Sequence, residues 1–300
     1  MRAAAIICIR NEEVHVERLI RDLVTEGLDV VLLDNDSTDA TVELAEPFLG
    51  RGLLRIERIP WLGCLSTEQA LEATRRAIEG LDHDWVLHLG ADESPASPDE
   101  GKTLLDGFAE ADAAGANCIN FDEFVFIPRA GEDMRGRDYR RLVTRYYFLD
   151  PYSPRLMRAW RRDAGLDNRR YAGHQLTGGA RIYERSFPLR HYVVLSADHA
   201  RRKYLDRVVA QDEADRGWHA GREMESEDLE LPGDDPRIRM LPDGSSKAFD
   251  RSMPCRSHYW NWAKERPVRY DRLSARARRW ARRRLITRYE IVPARGEAPH

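Results

Sequence analysis

The first hundred residues switch repeatedly between two hydrophobic periods. Ala3 to Ile9 is a continuous apolar run that stops at Arg10-Asn11-Glu12-Glu13, the pattern of a strand buried on both faces. Val16, Leu19, Ile20, Leu23 and Val24 then recur at helical spacing, with Gly27 as the stop, and predict a helix. Val30 to Leu33 reads as a second buried strand, and the polar run Asp34 to Asp39 leads into a helix carrying Val42, Ala45, Phe48 and Leu49. A third helix is predicted from Ser66, where Gln69 completes a capping box, to Gly80. Trp85 to Leu89 predicts a strand ending in Gly90-Ala91-Asp92-Glu93. Ser97, Pro98 and Glu100 then spell the N-cap, first-turn proline and capping-box acid of a fourth helix. Strands and helices in this alternation imply βαβ units and a largely parallel sheet.

Beyond residue 110 the pattern is less regular. Cys118 to Ile127 partly alternates, as a mixed or edge strand does, whereas Arg129 to Arg170 is polar, aromatic and arginine-rich and yields no assignment. Leu189 to Leu195 reads as a strand, and Ser196 caps a helix expected to carry Leu205, Val208 and Val209. The composition then shifts. Residues 212–235 hold ten acids against two arginines, and residues 269–290 hold nine arginines against two acids. We therefore expect a domain over residues 1–215 and a C-terminal extension over 216–300, an acidic segment followed by an Arg-rich helix.

Composition narrows the classes. The 300 residues are 42% hydrophobic and 33% charged with a net charge of −3, which suits a globular chain and excludes a wholly basic nucleic-acid binder. The four cysteines, Cys8, Cys64, Cys118 and Cys255, form no Cys-x-x-Cys pair, so zinc and dithiol chemistry are disfavoured. No apolar run reaches 18 residues and no cleavage site follows the N-terminal run, so a cytoplasmic location is expected.

A doubly wound sheet binds ligands at the carboxyl ends of its strands, which directs attention to the loops after Ile9, Leu33 and Leu89. The first of these lacks glycine, so a dinucleotide or P-loop phosphate cradle is disfavoured. The second carries Asp34, Asp36 and Asp39, which repel phosphate but accept hydrogen bonds from a base N–H or a ribose hydroxyl; the same residues also spell an Asx turn and helix cap. Adjacent carboxylates at a strand end, as in Asp92 and Glu93, suit Mg²⁺ or Mn²⁺, or alternatively a polar turn before Pro95.

Together Ile7-Cys8-Ile9-Arg10-Asn11-Glu12-Glu13, Leu33-Asp34-Asn35-Asp36-Ser37-Thr38-Asp39 and Trp85 to Glu93 resemble the family 2 glycosyltransferases with the GT-A fold. The resemblance covers residues 1 to about 110 and extends more faintly to about 210. It implies an α/β, Rossmann-like nucleotide-diphospho-sugar transferase fold, a mostly parallel sheet flanked by helices with a helical C-terminal extension. It further implies metal-assisted transfer of a sugar from a nucleoside-diphosphate donor to an acceptor hydroxyl. On this basis Arg10, Asn11, Glu12, Asp34, Asn35 and Asp36 would line the nucleoside pocket. Asp92 matches the second Asp of the family's Asp-x-Asp motif, which binds Mn²⁺ or Mg²⁺, while Gly90 stands where the first Asp is expected. His191-Tyr192, Ser196 and Lys203 are similar to a His-Tyr, Ser, Lys succession in a bacterial branch, so His191 would complete the metal shell and Lys203 would face the diphosphate. Asp122, Glu123 and His174 are the candidates for taking the acceptor's proton, with Asp122 preferred and His174 beside it.

Three rival readings remain on the sequence. Gly90 points to a nucleotide-sugar binding scaffold without catalysis. A nucleotidyltransferase of related fold would need a glycine-rich phosphate loop that is absent. The Arg-rich tail could contact a membrane surface or nucleic acid; we expect instead that it pairs with the acidic segment, with no nucleic-acid partner.

Overall fold

The N-terminal apolar run becomes an interior strand of a mixed β-sheet in the computed structural model, which describes residues 1–218, 229–263 and 289–294. The first half is built from β1 (Ala3–Ile9), α1 (Val16–Thr25), β2 (Asp29–Asp34), α2 (Thr41–Ala45), β3 (Leu53–Arg58), α3 (Thr67–Glu79), β4 (Trp85–Leu89), β5 (Glu93–Pro95) and α4 (Leu104–Ala114). β6 (Cys118–Phe126), α5 (Tyr139–Leu142), β7 (Arg145–Leu149), β8 (Leu156–Arg161), β9 (Arg181–Tyr183), β10 (Phe187–His191), α6 (Ala197–Tyr204) and α7 (Gln211–Asp215) follow. Three short strands, β11 (Arg239–Met240), β12 (Pro254–Cys255) and β13 (Glu290–Val292), close the described part.

The main path through the sheet runs β11-β7-β6-β8-β4-β1-β2-β3. β1 is parallel to β2 and β4, with Ile7 opposite Leu32 on one side and Leu89 on the other, and β2 is parallel to β3. β8 is antiparallel to both β4 and β6, and β7 is antiparallel to β6. This is the α/β fold class expected, a parallel half joined to a mixed half. All the strand ends of the parallel half open on one edge of the sheet.

β1 reads as unbroken apolar sequence because both its faces are covered. Ala3, Ala5, Ile7 and Ile9 pack with Val16, Leu19, Ile20 and Leu23 of α1 and Leu104 and Phe108 of α4, while Ala4 and Ile6 pack with Ala73 and Ala77 of α3. β6 is equally enclosed: β7 and β8 pair along it, and it is a central strand, not an edge.

Other differences have local causes. The fourth helix starts at Leu104, capped by a reciprocal Thr103 and Asp106 box, not at Ser97. Ser97 is fully buried and its Oγ accepts from the Asp99 amide at 3.3 Å, while Asp99 is held by Arg185 at 2.6 Å. α2 stops at Ala45 and Phe48 falls in a 3₁₀ turn, because Pro47 cannot continue the α ladder. β3 carries no apolar signature beyond Leu53, the exposed Leu54 and Ile56. Its entry requires Gly52, at φ +101, where a Cβ would lie 2.3 Å from Val24. α6 ends at Tyr204, so Leu205, Val208 and Val209 lie beyond it, and Val209 bridges to Leu65. From the segment assigned to the extension, β11 and β12 add to β7, and Tyr259, Trp260 and Trp262 are buried with Tyr147 and Leu149. The Arg-rich helix expected over 269–290 falls outside the described residues apart from Tyr289 and Glu290.

His88 of β4 offers a stability test. Burial, then the charge of Arg158, hold its imidazole down at about 3, below its ordinary value, so the neutral form is favoured in the fold. Its contribution is therefore complete above about pH 6.5 and is lost as the pH falls toward the folded value, by up to about 1.4 kcal/mol per pH unit. Urea unfolding between about pH 4 and 7 should give a steeper loss for wild type than for His88→Leu. Parallel curves would refute this.

Candidate active site

The strand ends of the parallel half are tied together by side chains of the loops themselves. Asn11, in the left-handed region at φ 55, accepts from the Thr38 amide at 2.7 Å, and its own amide donates to Ser37 Oγ at 2.9 Å. The Glu12 amide donates to Thr41 Oγ1 at 2.7 Å. Arg10 donates to the Asn35 carbonyl at 2.7 Å and to the Asp36 carbonyl, and its guanidinium lies 4.0 Å over the Trp61 ring.

These loops form one end of a cavity of about 1050 Å³. Its wall includes Arg10, Asn11, Glu12, Asn35, Asp92, His174, His191 and Lys203, brought together from six separate parts of the chain. Asp34, Asp36 and Asp122 are not on it. Asp34 accepts from the Ser37 amide at 3.2 Å, the Asx-turn geometry, and Asp36 is engaged by the Trp61 amide at 2.8 Å and by Arg58. Asp39, from the same loop, reaches the wall instead. Asp122 pairs with Arg251 at 2.7 Å, because alternate residues of β6 face opposite sides and it is Glu123 that faces the cavity.

At the centre is a line of charges. Asp92 Oδ2 is 2.5 Å from Lys203 Nζ and 3.0 Å from His191 Nε2; His191 Nδ1 is 2.5 Å from Glu123 Oε1, whose other oxygen pairs with Arg155. Asp92 is 8% exposed and Glu123 3%, so water screens this network little. Burial alone would raise the Asp92 carboxyl, but Lys203 and His191 hold it well below the usual carboxylate range. Burial likewise disfavours a charged His191, yet the carboxylates on its two nitrogens hold it well above the ordinary imidazole value. Nearby, burial pushes the Glu12 carboxyl up to about 7 despite Lys203.

Gly90 acquires a physical explanation. Its amide donates to Glu93 Oε2 at 2.8 Å, and a Cβ there would lie 3.0 Å from Asp92 Oδ1. Glu93 is buried and paired with Arg158 at 2.8 Å, so a carboxylate already folds back beside residue 90.

Sequence reasoning missed Trp61, Arg155, Arg158, His258 and Trp260, all on the wall. The pair His258 and Trp260, stacked at 4.3 Å, comes from a segment more than 160 residues after the Asp92 turn, and only its aromatic density signals it. Asp122→Asn is expected to leave turnover unchanged. Glu123→Gln should lower it by about 10–100-fold, because His191 loses the partner that orients it. Equal effects of the two substitutions in steady-state kinetics would reject this division of β6.

The fold and its site define a mixed α/β architecture with a charged centre at the parallel strand ends. No protein-family model matches the chain. An uncharacterized glycosyltransferase of Rickettsia bellii is 29% identical over 92 residues, 31% of this chain and 28% of its own length. One from Rickettsia conorii is 30% identical over 92 residues, 31% and 29% of the two chains. The match thus spans under a third of these curated relatives. Among solved structures, S. aureus TarS 1-349 aligns over 76% of this chain and 68% of its own, with TM-score 0.40 and 13% identity. Glucosyl-3-phosphoglycerate synthase from Mycobacterium tuberculosis, in complex with Mn²⁺, UDP and glucosyl-3-phosphoglycerate, aligns over 41% and 44%, with TM-score 0.28 and 18% identity. Identities and scores this low transfer neither residue roles nor ligands. The name of the curated relatives agrees with the resemblance read from the motifs. Among the described residues, no helix is long and apolar enough to cross a membrane.

Proposed function

We propose that this chain is a glycosyltransferase that moves a sugar from a nucleoside-diphosphate donor to an acceptor hydroxyl. The observation that carries the reading is the convergence of Asp92, His191 and Lys203 at the strand ends, facing the loops that hold Arg10, Asn11 and Asn35 across one cavity. The loop after β1 is free of glycine, and this end of the cavity is lined by Asn35, Glu12 and Asp39, groups that hydrogen-bond a nucleoside. Lys203, with its side chain 9% exposed, places an ammonium where the diphosphate would meet Asp92. His174, on the wall, is the group we retain for taking the acceptor's proton.

The donor set also fits a divalent cation. Asp92 Oδ2 and His191 Nε2 lie 3.0 Å apart, a carboxylate oxygen and an imidazole nitrogen of the types such an ion takes. Asp92 and His191 would hold Mn²⁺ or Mg²⁺, His191 in its neutral form, with the rest of the shell left to donor phosphates. Such an ion supplies Lewis-acid stabilisation of charge on the departing diphosphate. Glu123 keeps the His191 ring in place, and Gly90 leaves room beside Asp92.

Calorimetry and thermal unfolding with UDP, GDP and dTDP, with and without Mn²⁺, test the reading. One nucleotide should bind with Mn²⁺ dependence and stabilise the fold by about 2.7 kcal/mol at 100 times its Kd. No binding by any of them would refute it.

A further inference from the structure

The cavity, at about 1050 Å³, reaches the upper end of ordinary small-molecule sites, about 300–1,000 Å³, and continues past Asp92 away from the nucleoside loops. This second half is walled by Leu149, Pro151 and Arg155 and by the segment from Arg256 to Asn261. Resting on the donor reading above, it is the half left for the acceptor.

Its charges do not balance locally. The carboxylates that face it are already engaged, Glu123 by Arg155 and His191 and Glu93 by Arg158. Arg256 is exposed on the wall and takes part in no ion pair among the described residues. It follows β12, which is fixed to the sheet through Pro254 and Phe148, and the Cys255 carbonyl accepts from the Asp150 amide at 2.9 Å, so the guanidinium stands on an anchored backbone. Two residues on, His258 is held by the Tyr147 hydroxyl at 2.8 Å and stacked on Trp260, with its ring centroid 6.4 Å from that of His191. In a chain of net charge −3, an exposed guanidinium on an anchored backbone, with no carboxylate partner among the described residues and opening on the cavity, suits an anion that comes with the substrate.

We propose that the acceptor is an anionic polyol, with a phosphate or carboxylate group near the reactive hydroxyl that Arg256 binds through its planar fork. Arg256 thereby sets which hydroxyl is presented to the sugar.

The test uses the intact chain saturated with Mn²⁺ and whichever of UDP, GDP and dTDP binds it. Glycerol 3-phosphate, glycerate and glycerol are titrated in turn by calorimetry. At least one anion should bind about tenfold or more tightly than glycerol, and Arg256→Gln should remove the difference without altering nucleotide affinity. A preference for glycerol 3-phosphate alone assigns a phosphate, and for glycerate alone a carboxylate. The proposal is overturned if neither anion outbinds glycerol, if Arg256→Gln keeps the preference, or if the variant weakens the nucleotide equally, which would give the guanidinium to the donor. Failure of every nucleotide to bind wild type would instead remove the donor reading, and this proposal with it.

Discussion

Asp92→Asn is expected to reduce sugar transfer by about 10²–10³-fold, the scale of losing a charged group that acts on the reacting bond. The substitution keeps the side-chain shape but removes the anion that Lys203 and His191 share. Nucleoside contacts at the far end of the cavity are untouched, so nucleotide affinity without metal should persist while its Mn²⁺ enhancement disappears. Steady-state kinetics and calorimetry on the folded variant check both halves. Transfer close to wild type, or Mn²⁺-enhanced binding that survives, would remove Asp92 from the chemistry.

Arg155→Met should produce the largest loss of stability. Glu123 is 3% exposed and relies on Arg155 and His191 to compensate its charge. Removing one partner of a buried pair costs about 3–5 kcal/mol, because the other charge stays behind. Burial raises the Glu123 carboxyl, but Arg155 and His191 hold it well below its usual range, so its contribution is present above the unfolded carboxylate value and is lost as the pH falls through the depressed one. The variant should therefore unfold at markedly lower urea concentration at neutral pH, and the gap to wild type should narrow in acid. A neutral-pH difference under about 1 kcal/mol would show that the pair is weakly coupled to folding.

The parallel half was legible in the sequence because its strands are covered on both faces and its helices have strong stripes. β1, β2 and β4 announce themselves as apolar runs, and Ser66 caps α3, its Oγ accepting from the Gln69 amide at 3.1 Å, whereas the Gln69 side chain donates to the Pro60 carbonyl and leaves the expected box half made. β3 did not, since Arg55, Glu57 and Arg58 interrupt its apolar positions. β7 and β8 lie in the stretch from Arg129 to Arg170, where Arg145 and Arg158, 7% and 8% exposed, make buried strands look like polar sequence. Arg145 donates to the carbonyls of Pro128, Pro232 and Gly233, and Arg158 pairs with Glu93, partners that no local pattern displays. The site divides the same way. Asp92, His191 and Lys203 were identifiable as chemistry-bearing types in motif context, and the fold brings them together. The acidic loop is less simple, because a carboxylate that reads as a ligand contact is equally suited to structural work: Asp34 serves its own turn, and Asp36 holds the Trp61 amide and Arg58. Strand parity decided between Asp122 and Glu123, and parity becomes readable only once β6 is placed between its neighbours.

The most direct test of a donor-cleaving centre built on Asp92 is release of free nucleoside diphosphate from UDP-, GDP- and dTDP-sugars by the intact chain with Mn²⁺. One donor class should be broken down, with release falling to background in Asp92→Asn and on chelation. Tight binding of a nucleotide sugar that stays intact, with or without added polyol phosphate, would contradict the account and identify the chain as a nucleotide-sugar binding protein.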